Sequence, residues 1–200
     1  MKTFLQFLTI FLFTITIIKP DELLDSYNLE AKGKYADSLA IMEKLGKSEP
    51  SEYLFQLRSG WLSLYTGEYS KSIEYYKKAQ VLSPDAIEPK QGMIRAYTGL
   101  GNTKQVETVA RTILKQDPKN YIGRTNLAYS LYQLGSYKEA RKIYESVLSD
   151  YPSDLEMILG LGWSYLKEGD KQKSKDAFNR ALKISPQNPR AQEGLWYTSK

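Results

Sequence analysis

The chain has 200 residues, 42% hydrophobic and 26% charged, proportions that exclude both an intrinsically disordered chain and a multi-span membrane protein. Its formal charge of +5 comes from 28 basic residues scattered among 23 acidic ones, without a run of five or six like charges, so no nucleic-acid partner is expected. Cysteine and histidine are both absent, which removes disulfides, thiolate metal sites, a cysteine nucleophile, a lipid-modified N-terminal cysteine, and the commonest general base and metal ligand; no metal site, cofactor or catalytic residue is expected.

The first element is an apolar stretch from Phe4 to Ile18, interrupted by Gln6 and by Thr9, Thr14 and Thr16, and preceded by Lys2. That is the profile of an export signal. It is short for a permanent span, which takes about 20 apolar residues, yet no small-x-small cleavage site follows; Thr14-Ile15-Thr16 comes nearest, with Pro20 soon after. Residues 1–18 therefore read as a cleaved signal peptide, an uncleaved anchor that meets the membrane through residues 4–18, or a hydrophobic capping helix. The first two place the rest of the chain outside the cytoplasm, periplasmic or membrane-anchored, because the tip carrying Lys2 stays inside.

From residue 19 onward two columns recur. Glycines stand at Gly33, Gly67, Gly101, Gly135 and Gly169, and prolines at Pro50, Pro84, Pro118, Pro152 and Pro186, each column with a period of 34. Between a proline and the next glycine the apolar residues have helical spacing, as in Leu127, Leu131 and Leu134. The glycine ends that helix in a left-handed cap, and a second helix runs on to the proline, which cannot continue it. Five helical hairpins are expected, at 19–52, 53–86, 87–120, 121–154 and 155–188.

Within each hairpin small residues mark the closest approach, namely Ser26, Gly60, Ala128 and Gly162 on first helices and Ser38, Ser72, Ala140 and Ser174 on second ones. Met42, Tyr76, Tyr144 and Phe178 fill the layer beneath, so small faces large. The third unit reverses the pattern, with Ile94 in the small column and Ala110 in the large one, a volume exchange across one interface. Ser153 and Glu156 read as a capping box opening the fifth unit, which makes the carboxylates Asp150, Asp154 and Glu156 capping and solvating groups.

Residues 189–200 begin a sixth first helix with no second helix after it. Leu195 continues the column of Leu127 and Leu161 and should seal the last core, while Trp196 occupies the place of Ala128 and Gly162. This segment is expected to cap the array, or to offer Trp196 and Tyr197 as an adhesive end for a partner or a second copy.

The period, the Gly-x-Tyr turns at Gly33-Lys34-Tyr35, Gly67-Glu68-Tyr69 and Gly135-Ser136-Tyr137, the packing positions Ala140 and Ala181 and the prolines together resemble the tetratricopeptide repeat (TPR) family. Thr103 and Lys171 depart from its tyrosine column. The resemblance implies an all-α, right-handed solenoid whose first helices line a concave groove that holds peptides or partner helices. On the groove side it places Leu57, Arg58, Trp61 and Tyr65, then Arg95, then Asn126, Tyr129 and Tyr132, then Leu159 and Trp163. Aromatic rings and arginine often dominate binding energy, although aromatics at this spacing also serve as packing between units.

Chaperone-binding members resemble one another in a lysine, asparagine and arginine clamp for a C-terminal carboxylate. The corresponding places hold Gln91 and Arg95, Asn126, and Glu156 and Gly160, of which only Asn126 fits. Gly160-Leu161-Gly162 lies inside a helix and lacks the third glycine of a dinucleotide fingerprint. The sequence thus reads as a non-enzymatic scaffold, exported or tethered, holding a peptide or protein in an envelope assembly. The alternative is a ligand-binding or cell-wall-binding module that uses the aromatic groove.

Overall fold

A computed structural model of the protein describes residues 20–200, so the apolar segment 1–18 lies outside the described residues. The described residues form eleven α-helices and no strand. They pair as α1 (Pro20–Ala31) with α2 (Tyr35–Ser48), α3 (Tyr53–Tyr65) with α4 (Tyr69–Leu82), and α5 (Glu88–Gly99) with α6 (Thr103–Gln116). Then follow α7 (Tyr121–Gln133) with α8 (Tyr137–Asp150), α9 (Leu155–Glu168) with α10 (Lys171–Ile184), and the single α11 (Pro189–Thr198). None of these helices is long and apolar enough to cross a membrane.

Both sequence columns have a structural cause. All five column glycines have positive φ, from +67° to +86°. In each turn the glycine N–H donates to the carbonyl three residues back, and the following N–H to the carbonyl five back, as in Gly135 to Tyr132 (3.0 Å) and Ser136 to Leu131 (2.8 Å). That is the Schellman arrangement, which satisfies the last carbonyls of the first helix. At the other end, Glu49, Ser83, Asp117, Tyr151 and Ser185 leave the helical region just before the prolines, with ψ from 71° to 91°, as the steric demand of a following proline dictates.

The two departures from the tyrosine column are compensated locally. Where Tyr35, Tyr69 and Tyr137 open a second helix, the preceding residue offers no side-chain cap. Where Thr103 and Lys171 open it, Asn102 and Asp170 accept from the N–H of Gln105 and Lys173, a stabilising N-cap bond. The capping box expected from Ser153 is corrected by one residue. The N-cap of α9 is Asp154, whose carboxylate accepts from the Met157 N–H at 3.2 Å, because Ser153 still belongs to the turn after Pro152.

Among the described residues, successive first helices from α3 to α11 pack closely on one another, whereas second helices meet only through long side chains, as in Lys71 with Glu43 and Arg111 with Glu139. This asymmetry curves the array, with the first helices on its inner side. The closest approaches fall where small residues were expected. Ser72 and Ser174 hydroxyls donate across the hairpin to the Gly60 and Gly162 carbonyls at 2.7 and 2.9 Å, and Ser38 to the Ser26 carbonyl at 2.8 Å.

A second glycine column went unnoticed in the sequence. Gly92, Gly160 and Gly194 each lie over the large ring that stands sixteen residues earlier, Tyr76, Tyr144 and Phe178 respectively. A Cβ on any of them would fall within 2.5 Å of ring carbons. The rings of Tyr76 and Phe178 are therefore sandwiched between a glycine of their own hairpin, Gly60 or Gly162, and one of the next. In unit three the large position holds Ala110, and there the residue sixteen later is free to be Asn126; Ile94 and Ala110 are both buried, as a volume exchange requires.

Polar side chains stitch the loops between units. Gln56, Lys90 and Arg124 form a buried column on the first helices. The Gln56 amide donates to the Pro50 carbonyl, and the Lys90 ammonium donates to the carbonyls of Pro84 and Ala86 and to Gln116 Oε1. Arg124 donates to the Lys119 and Ser146 carbonyls and pairs with Asp150 at 2.8 Å. Such charges are buried only because each is hydrogen-bonded. On unit five Ile158 takes this place, and Arg180 reaches the Pro152 carbonyl instead.

Candidate functional site

Two concavities among the described residues each bring together several of the residues expected in the groove. The larger, about 470 Å³, lies between α7, α9 and α11. Tyr129, Tyr132 and Trp163 form its walls, Gly160 and Tyr144 its floor, and Glu156, Arg190 and Glu193 its rim. The smaller, about 170 Å³, lies between α3 and α5, with Leu57, Trp61 and Arg95 around Gly92 and Tyr76. In both, the glycine that admits a ring from the second helix also opens a window through which the phenol reaches the groove.

The expected groove residues divide into four groups. Tyr129, Tyr132 and Trp163 meet in the large cleft, and Leu57, Trp61 and Arg95 line the small one. Trp163 is held edge-on to Phe178, with centroids 5.1 Å apart, which fixes its indole at the cleft wall. Tyr65 is exposed but stacks on Trp61 at 4.3 Å and Tyr35 at 4.9 Å, joining units one and two.

Three residues are corrected. Leu159 is fully buried in the C-terminal core and faces no groove; α9 is packed by α7, α8, α10 and α11 at once, so it has little face left for solvent. Arg58 lies over the Tyr27 ring, 3.6 Å from its centroid, and pairs with Glu30 at 2.6 Å, so it fastens unit two to unit one. Asn126 turns its amide back to the Ile122 carbonyl of its own helix at 2.8 Å, leaving no clamp residue in place.

At the C-terminal end Leu195 packs on the last core. Trp196 is 55% exposed and edge-on to Tyr197. Arg190 and Glu193 on the rim and the Gly160–Tyr144 floor were not expected in the groove. The one available signal was the recurrence of Gly92, Gly160 and Gly194, each of which looks like an isolated helix-weakening glycine.

Burial raises the pKa of Tyr144, of Tyr132 and of Tyr76, the last to about 12, because a phenolate would be charged inside a poorly polar interior. All three are neutral donors and acceptors at physiological pH. The sign of the linkage follows. The unfolded chain loses these protons near pH 10 while the fold retains them, so stability is complete below pH 10 and falls as pH rises toward 12. Urea midpoints should drop between pH 9 and 11.5, and less so for Tyr76→Phe.

The geometry is that of a helical-hairpin solenoid with a concave inner surface. The tetratricopeptide repeat profile matches residues 26–87, 93–154 and 125–189, and the chain belongs to the tetratricopeptide repeat family. It is similar to the tetratricopeptide repeat-containing protein trd-1 of Caenorhabditis elegans, with 25% identity over 197 residues covering 86% of this chain and 25% of that protein. It is also similar to the human protein O-mannosyl-transferase TMTC1, with 29% identity over 133 residues covering 66% of this chain and 15% of that protein. The chain thus spans a quarter or less of the length of these relatives. Among solved structures it is similar to YrrB, a TPR protein with an unusual peptide-binding site, at TM-score 0.76 and 14% identity over 86% of this chain and 89% of that one. This family's fold is in general a non-catalytic scaffold for protein interactions.

Proposed function

We propose that the chain holds a peptide or protein partner in its concave groove, chiefly in the cleft between α7, α9 and α11, and catalyses nothing itself. The observation that carries this is the convergence of Tyr129, Tyr132 and Trp163 from two successive units on one cleft of about 470 Å³. Aromatic side chains that stand in a concavity are the usual anchors of recognition. The peptide-binding site named for YrrB gives a precedent on the same fold.

The apolar stretch 4–18 supports a second part of the reading, that the array works outside the cytoplasm as an exported or membrane-tethered member of an envelope assembly. External protease should then degrade the array in cells whose outer barrier has been opened but whose inner membrane is intact. Protection of the chain under those conditions would contradict that part.

The groove is tested by selecting nonapeptides from a random display library on the full-length chain. Trp163→Ala should weaken the selected peptides by at least roughly tenfold, as loss of a central anchor does, with an unchanged helical spectrum. If Trp196→Ala with Tyr197→Ala abolishes their binding while Trp163→Ala does nothing, the exposed end is the binding surface and the groove reading fails.

A further inference from the structure

The floor of the large cleft holds a polar group that the fold does not use. Tyr144 is 3% exposed, yet its hydroxyl has no hydrogen-bond partner among the described residues. It lies directly beneath Gly160, at 2.9 Å from where a Cβ would stand, so the missing side chain is what leaves this oxygen open to the cleft. A tyrosine hydroxyl open to a cleft can both donate to and accept from a bound group. In unit five the equivalent ring is Phe178, beneath Gly194, so packing at this position needs no hydroxyl.

The charges around the cleft favour one kind of partner for that oxygen. Arg190, the basic residue on the rim, is engaged by Glu156 at 2.6 Å. Glu193, also on the rim, makes no ion pair among the described residues, which leaves the lining with an uncompensated negative charge. The walls are three aromatic rings, whose faces attract cations. An apolar occupant would leave the Tyr144 oxygen without a partner, and an acidic one would meet the rim carboxylates directly. The chain already uses the complementary set internally, where the Arg58 guanidinium lies on the Tyr27 ring and pairs with Glu30.

Building on the groove reading above, we infer that this cleft selects a basic side chain, a lysine or arginine of an extended partner segment. The Tyr144 oxygen accepts from its nitrogen, the rings of Tyr129, Tyr132 and Trp163 surround it, and Glu193 pairs with it. The net charge of +5 of the whole chain does not oppose this, since charges more than about 8 Å away are screened at physiological salt.

The probes are four pools of otherwise random nonapeptides with lysine, arginine, norleucine or glutamate fixed at the centre, titrated against the full-length chain by fluorescence anisotropy. The lysine and arginine pools should bind roughly tenfold more tightly than the norleucine pool. Glu193→Gln and Tyr144→Phe should each reduce that preference severalfold. If norleucine or glutamate peptides bind as well as basic ones and depend on Trp163, the groove stands and the inference is overturned. If no pool binds in a Trp163-dependent way, both fall. A basic preference that survives Glu193→Gln and Tyr144→Phe together also overturns it.

Discussion

Phe178→Ala should lower stability by about 4 kcal/mol, the range for truncating a fully buried phenylalanine, with the loss concentrated at the C-terminal end. Phe178 has no exposed surface and fills the gap between Gly162 of its own hairpin and Gly194 of α11. Neither glycine can reach across the space that the ring would leave, so the cavity cannot collapse from either side. In a repeat array each unit is stabilised mainly by its neighbours, and among the described helices α11 packs on α9 and α10 alone. Amide exchange should therefore show α11 losing protection first, while α3 to α6 keep theirs. A change below about 1 kcal/mol, or a loss spread evenly over all units, would show that the ring is not the bond between α10 and α11. The wall residue Trp163 rests on the same ring, so the variant should also loosen the large cleft.

The interface between units two and three offers a sharper test of the same rule. Gly92→Asn would drive a side chain into the Tyr76 ring, whose carbons lie 2.2–2.5 Å from the Cβ position, and overpacking of that severity costs roughly 3 kcal/mol. Tyr76→Ala would leave a cavity of comparable cost. One period later the chain itself holds Ala110 and Asn126 at these places, with Ile94 where Gly60 stands. Combining Tyr76→Ala, Gly92→Asn and Gly60→Ile should consequently be less damaging than the sum of the single changes by about 2 kcal/mol or more, a coupling expected of residues in direct contact. Strict additivity in urea titrations would refute the volume exchange.

These two cases show which parts of the architecture could be read from the sequence. Gly135 and Pro152 announce themselves because backbone geometry dictates them: a positive φ and a missing N–H admit few residue types, and the requirement repeats every 34 residues. The pairs Ser72 with Gly60 and Ser174 with Gly162 were equally legible, since contact within a hairpin fixes both partners in one unit.

Contacts between units were harder to see. Gly160 is small because Tyr144 belongs to the hairpin before it, and its own hairpin gives no hint of that. Leu159 was misplaced for a related reason. Between Leu155 and Leu161 the helix α9 is apolar on most sides, so periodicity could not tell a groove-facing side from one buried against α7 or α11. Arg58 and Asn126 sit where groove residues should sit, but a neighbouring ring and a backbone carbonyl had already claimed them.

The central claim is that a partner lies against the inner surface at the cleft of Tyr129 and Trp163. It is tested most directly by site-specific photocrosslinking in living cells, with a benzophenone-bearing phenylalanine analogue placed at Tyr129 or, on the outer helix α4, at the 79% exposed Val81. A discrete crosslinked partner is expected from position 129, disappearing in the Trp163→Ala background, and none from position 81. Crosslinks that form from position 81 and persist in that background, with none from position 129, would contradict it.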